Sequence, residues 1–160
     1  MTKSWLGWAV FCALALPLRM EACTCTWAGP LLQVGPGAEL IVRAKVLRHF
    51  DRSREVDRAM EVEVIEVLKG SARARRIRIW GDDGGQCRPY VSGFKVGTEW
   101  IFAVNRLKDD YAISVCGEYW ARVEGDVVSG RLTTPLPPGE GEPERMSLRE
   151  VRERLRGARY

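Results

Sequence analysis

The chain has one histidine, His49, in 160 residues. Histidine is the side chain most used for acid–base work and metal binding near neutral pH. His49 ends an expected strand, and no nucleophile–base pairing is visible, so the sequence does not read as an enzyme. Asp82 and Asp83 sit together in a Gly-rich stretch, where aspartate commonly closes a turn. That stretch also lacks the Lys-Ser/Thr ending of a phosphate-binding loop. The net charge is only +4, and arginines occur throughout, interleaved with acids near the C-terminus. Neither a nucleic-acid motif nor a basic cluster with exposed aromatics is evident, so nucleic acid is not an expected partner. Internal repeats are absent.

A long apolar run is also missing. The uncharged, mostly apolar stretch at residues 5–18 falls short of the roughly 20 residues a membrane span needs. It follows Lys3 and precedes the small Ala22, the layout of a secretory signal peptide over residues 1–22. Met20 is large for its place before the cut. The expected product is secreted and extracellular, with no membrane span. Cleavage after Ala22 removes Cys12 and leaves Cys23, Cys25, Cys87 and Cys116. Four cysteines in an exported domain suggest two disulfides, in any of three pairings. Zinc-ribbon spacing puts two residues between paired cysteines, and Cys23-Thr24-Cys25 has one, so structural zinc is not expected. Acylation of Cys23 would give a periplasmic or membrane-attached lipoprotein. It would also leave an odd number of thiols, and Met20 and Glu21 fit a lipidation box poorly.

Hydrophobic periodicity gives the folded part. In residues 39–50, Val42, Ala44 and Val46 alternate with Ile41, Arg43 and Lys45, a strand pattern. A charged segment at 51–57 reads as an exposed hairpin loop. Met60, Val62 and Val64 then alternate with Glu61 and Glu63 in a second strand ending at Lys69-Gly70, with Glu61, Glu63 and Glu66 facing solvent. Ile77 and Ile79 mark a third strand at 74–80. A glycine-dense loop follows, then a hairpin pair at 99–107 and 110–120. A shorter hairpin at 121–132 turns at Glu124-Gly125-Asp126. Residues 133–145 are a Pro/Gly/Glu linker, and residues 146–160 a C-terminal helix. Ser147 and Glu150 have capping-box spacing, and Leu148, Val151 and Leu155 form a narrow apolar stripe suited to packing on the chain's own domain. Five principal strands and no early helix predict an all-β chain with a short C-terminal α-helix. The expected architecture is a five-stranded Greek-key barrel, the OB fold, over residues 23–132, with a seven-stranded sandwich as the alternative.

Several segments together resemble the N-terminal domain of the tissue inhibitors of metalloproteinases (TIMPs) and the wider netrin-like module. They are Cys23-Thr24-Cys25 behind a signal peptide, the first-strand residues 41–46, and the second strand 61–70 with its closing Lys-Gly. Cys87 in a loop, the strand at 100–103, and Cys116 complete the set. The likeness spans residues 23–120. It implies the pairings Cys23–Cys87 and Cys25–Cys116. It also implies a zinc metalloendopeptidase as partner. In that reading the α-amine and carbonyl of Cys23 chelate the target's catalytic zinc, and Thr24 enters its specificity pocket. Zinc would come only from the target; no resident cofactor is implied, and the protein would act as a monomer. The chain departs from the family in three places. A third disulfide has no cysteines to form it, the second cysteine-rich domain is absent, and Trp27 stands where proline is common. Netrin-like modules that inhibit nothing also exist, so a binding module of unknown partner is the alternative.

Overall fold

The computed structural model describes residues 24–53, 56–135 and 141–157. Eight strands occur among them: β1 (Leu40–Ser53), β2 (Val56–Lys69), β3 (Arg76–Trp80), β4 (Glu99–Leu107), β5 (Asp110–Ala112), β6 (Trp120–Glu124), β7 (Val127–Gly130) and β8 (Glu144–Ser147). Two helices accompany them, the four-residue α1 (Leu31–Val34) and α2 (Leu148–Gly157). The sheet runs β1-β2-β3-β5-β4-β6-β7-β8, and an added β1–β4 pairing closes its first five strands on themselves. The β3–β5 contact is parallel; every other pairing is antiparallel. This is an OB-fold-like closed barrel rather than a sandwich.

Alternation along β1 and β4 feeds two cores. Leu40, Val42, Ala44 and Val46 face the barrel interior with Met60, Val62, Ile77, Ile79, Phe102 and Val104. Phe94 meets Trp100, Phe102 and Trp120 edge to face, with ring centroids 5.0, 5.2 and 5.7 Å away. The opposite faces of the same strands put Ile41, Ile101 and Ala103 into a second core. Leu31 of α1, Val123, Val128, and Leu148, Val151 and Leu155 of α2 complete it. The apolar stripe of α2 is therefore buried on its own domain, where each such side chain contributes about 1.5–3 kcal/mol. Arg152 adds a two-pronged bond to Glu66 of β2, at 2.8 and 2.9 Å. That bond, ahead of the opposing desolvation, holds the Glu66 carboxyl below its ordinary range. Ser147 Oγ accepts the Glu150 N–H and starts the helix.

The closing Lys69-Gly70 has a local reason. The Lys69 ammonium donates to the carbonyls of Pro36 and Ala38, fixing the entry to β1. Gly70 has φ +79°, and a Cβ there would lie 2.3 Å from the Glu39 carbonyl oxygen.

Three segments differ from expectation. The charged stretch at 51–57 is largely strand, because β1 and β2 stay paired out to Ser53–Val56 and Arg58 bonds Asp51 at 2.7 Å. Residues 110–120 are not one strand. Only Asp110–Ala112 pairs as β5, and the chain then leaves the barrel before β6. The end of the Pro/Gly/Glu segment is β8, paired to β7. Glu144 anchors it by accepting backbone N–H groups from Leu132, Thr133 and Thr134. Burial works against that charge, but the Thr133 and Thr134 bonds prevail and hold the carboxyl down at about 2. Among the described residues no helix is long and apolar enough to cross a membrane.

Candidate functional site

Between Ile113 and Tyr119, which still bond Trp80 of β3 and Ala103 of β4, the chain leaves the barrel strands and meets the N-terminal segment. The Ala28 N–H donates to the Cys116 carbonyl at 2.8 Å, and the Glu118 N–H donates to the Gly29 carbonyl at 2.9 Å. Residues 28–29 thus lie along 116–118 as a short added ribbon. The Cys25–Cys116 disulfide joins the same two segments, with Cα atoms 5.5 Å apart. This is the second of the two pairings implied by the resemblance. From the other side, Gln33 Nε2 donates to the Ala28 carbonyl at 3.3 Å. Gly117 is close-packed, since a Cβ would come within 3.1 Å of the Tyr119 ring and 3.3 Å of Val34.

The loop carrying Cys87 joins this cluster. The Val115 N–H donates to the Cys87 carbonyl at 3.1 Å. The sulfurs of Cys25, Cys87 and Cys116 lie within 4.8 Å of one another, a spacing that also suits a metal. Cys25 and Cys116 are bonded to each other and Cys87 is disulfide-bonded too, so none of the three offers a thiolate ligand. Cys23 lies outside the described residues, and with it the Cys23–Cys87 pairing and the zinc-chelating amine. Thr24, Cys25 and Thr26 are exposed. Trp27 is half-buried, and its indole N–H is enclosed with no acceptor among the described residues.

Glu118 has no role in the sequence reading. Burial pushes its carboxyl up to about 7, although Arg131 Nε, 4.0 Å away, pulls the other way. Glu118 and Arg131 face a cavity of about 180 Å³ beside Gly141, Glu142 and Pro143. The remaining candidates have structural roles. His49 Nε2 donates to the Phe94 carbonyl at 2.8 Å, which uses the ring for packing the barrel end. Asp82 Oδ1 accepts the N–H groups of Asp83 and Gln86, and Asp83 Oδ1 accepts that of Gly85, so both aspartates close the turn. Glu61 and Glu63 face outward and pair with Arg48 and Arg75.

No protein-family model matches the chain, and neither does any curated protein.

Proposed function

We propose that this chain is a secreted inhibitor of a zinc metalloendopeptidase, acting through the edge Cys23-Thr24-Cys25. The carrying observation is the exposed segment beginning at Thr24, locked to the barrel by the Cys25–Cys116 disulfide and by the ribbon bonds at Ala28 and Gly29. A wedge ordered before binding avoids the cost of ordering it in the complex. Cleavage after Ala22 frees the Cys23 α-amine. With an ordinary pKa near 8 it readily gives up its proton to a metal. Amine and carbonyl together then take the position that the attacking water holds on the target's zinc. Thr24, the next exposed side chain, enters the specificity pocket.

The test adds one alanine ahead of Cys23. The mature protein is expected to inhibit at least one member of a broad panel of zinc endopeptidases, and the extended protein none. Intact mass of the exported protein checks the starting point. A chain beginning at Cys23 and lighter by four hydrogens than its reduced form is expected, whereas an added diacylglycerol rules out the free amine. If the unextended protein inhibits nothing, the disulfides serve only the barrel and the chain is a netrin-like binding module.

A further inference from the structure

Two disulfides meet at one place beside the N-terminal edge. The sulfurs of Cys25, Cys87 and Cys116 lie within 4.8 Å of one another. Cys25 and Cys116 share one bond, and Cys87 belongs to a second. The partner of Cys87 lies outside the described residues, and in a chain cut after Ala22 only Cys23 is left to be that partner. A thiol released from the second bond therefore has the sulfurs of the first within reach. Disulfides exchange by attack of such a thiolate on one sulfur and departure of the other.

The surroundings rank the sulfurs. Cys87 and Cys116 are half-buried and tied to neighbouring backbone. The Val115 N–H donates to the Cys87 carbonyl at 3.1 Å, and the Cys116 N–H donates to Ser114 Oγ at 3.0 Å. Cys87 is thus held alongside the segment that carries Cys116. Cys25 is exposed and belongs to the N-terminal segment. The sulfur that leaves most readily is the one whose thiolate has the lower pKa, and burial in apolar surroundings raises that pKa. Within the Cys25–Cys116 bond the better leaving group is the hydrated Cys25.

We propose that this cluster is a release catch for the N-terminal edge, tripped by a small monothiol of the glutathione class. The thiolate of the monothiol attacks the Cys23 sulfur, forms a mixed disulfide there and expels Cys87 as a thiolate. Cys87 attacks the Cys116 sulfur, forms a Cys87–Cys116 bond and expels Cys25. Cys25 takes up the proton that the monothiol gave up. Two disulfides stand before and after, so no oxidant or further reductant is consumed. The new bond joins two segments that already share the Val115–Cys87 hydrogen bond. The N-terminal segment loses both of its crosslinks to the barrel. A loss of inhibition on release rests on the inhibitor reading above; the exchange itself does not.

Treating the full mature protein with glutathione tests this, followed by acid quench, alkylation of free thiols and peptide mapping without reduction. The expected products are a Cys87–Cys116 pair, alkylated Cys25 and glutathione on Cys23. Hydrogen exchange at the Ala28 amide, which bonds the Cys116 carbonyl, is expected to quicken by about tenfold or more, while that at Phe102 in the barrel stays unchanged. In C23S/C87S, which has no second bond to open, Cys25–Cys116 is expected to open about tenfold more slowly or slower still. Thermal melts show whether that variant is folded, and the wild-type map is the arm to read if it is not. Alkylated Cys87 beside an intact Cys25–Cys116 bond, Cys25–Cys87 as the new pair, equally fast opening in the folded variant, or unchanged exchange at Ala28 overturns the inference. None of these readings uses a target metalloendopeptidase, so failure of the catch and failure of the inhibitor reading are told apart.

Discussion

Removing the Cys25–Cys116 bond by C25S/C116S gives the most direct measure of what the N-terminal clamp contributes. The two cysteines are 91 residues apart in sequence. In the chain-entropy account a loop of that length is worth about 4–5 kcal/mol, mostly by restricting the unfolded chain. For a domain of this size that corresponds to a fall in Tm of about 10–20 °C. The serine pair leaves the barrel's hydrophobic cores untouched, so the variant should still fold at room temperature with the same near-ultraviolet signature. Thermal unfolding under non-reducing conditions reads the Tm. The inhibition assay, run well below that temperature, reads the edge. Inhibition should weaken while the fold persists, because the segment beginning at Thr24 loses its disulfide anchor to Cys116. A Tm loss under about 3 °C would refute the stability argument. Unchanged inhibition would refute the claim that the edge acts as a preformed wedge.

Two further outcomes follow from the packing and the electrostatics. Gly70→Ala forces a Cβ to within 2.3 Å of the Glu39 carbonyl oxygen at a φ of +79°, and should cost at least about 2 kcal/mol by urea denaturation. Glu118, whose carboxyl rises from 4.5 to about 7 on folding, favours the folded state while it is protonated. Its contribution is full below 4.5 and is lost as pH climbs through 7. Glu118→Gln, which stays neutral, should flatten the decline in urea midpoint across that interval.

The barrel strands were the legible part of the sequence. The interior set Val42, Ala44, Val46, Met60, Val62, Ile77 and Ile79 follows from period-2 alternation, as does the strand Glu99–Leu107. The stripe Leu148, Val151, Leu155 likewise announces α2 and its buried face. The run after Asp110 was misleading because Ile113 and Val115 continue an alternating pattern through a region where pairing stops. Its real punctuation is polar: Ser114 Oγ accepts the Cys116 N–H, and Gly117 lets Tyr119 and Val34 close in. Strand β8 was hidden because its pairing depends on the Glu144 carboxylate gathering three N–H groups, an effect with no hydrophobic signature. The stacking of Arg48 and Arg78 on Phe50, and of Arg78 on Trp80, was invisible for another reason. Arg48, Phe50, Arg78 and Trp80 are scattered in the chain, and only strand register, including the shift after Val46, makes them neighbours.

Closure of the barrel also fixes an order of events during synthesis. Strand β1 can pair with β2 as soon as that hairpin has emerged, but its other edge waits for β4, where Leu40 meets Val104. The clamp waits longer still, for Cys116. Long-range closures of this kind are the slow steps of folding. Among the residues made first, Cys25 is thus among the last to find its partner. Cys87, whose sulfur ends within 4.8 Å of the correct one, leaves the ribosome earlier and is the nearest wrong choice. Efficient production of the protein accordingly favours a compartment that can reshuffle disulfides as well as form them.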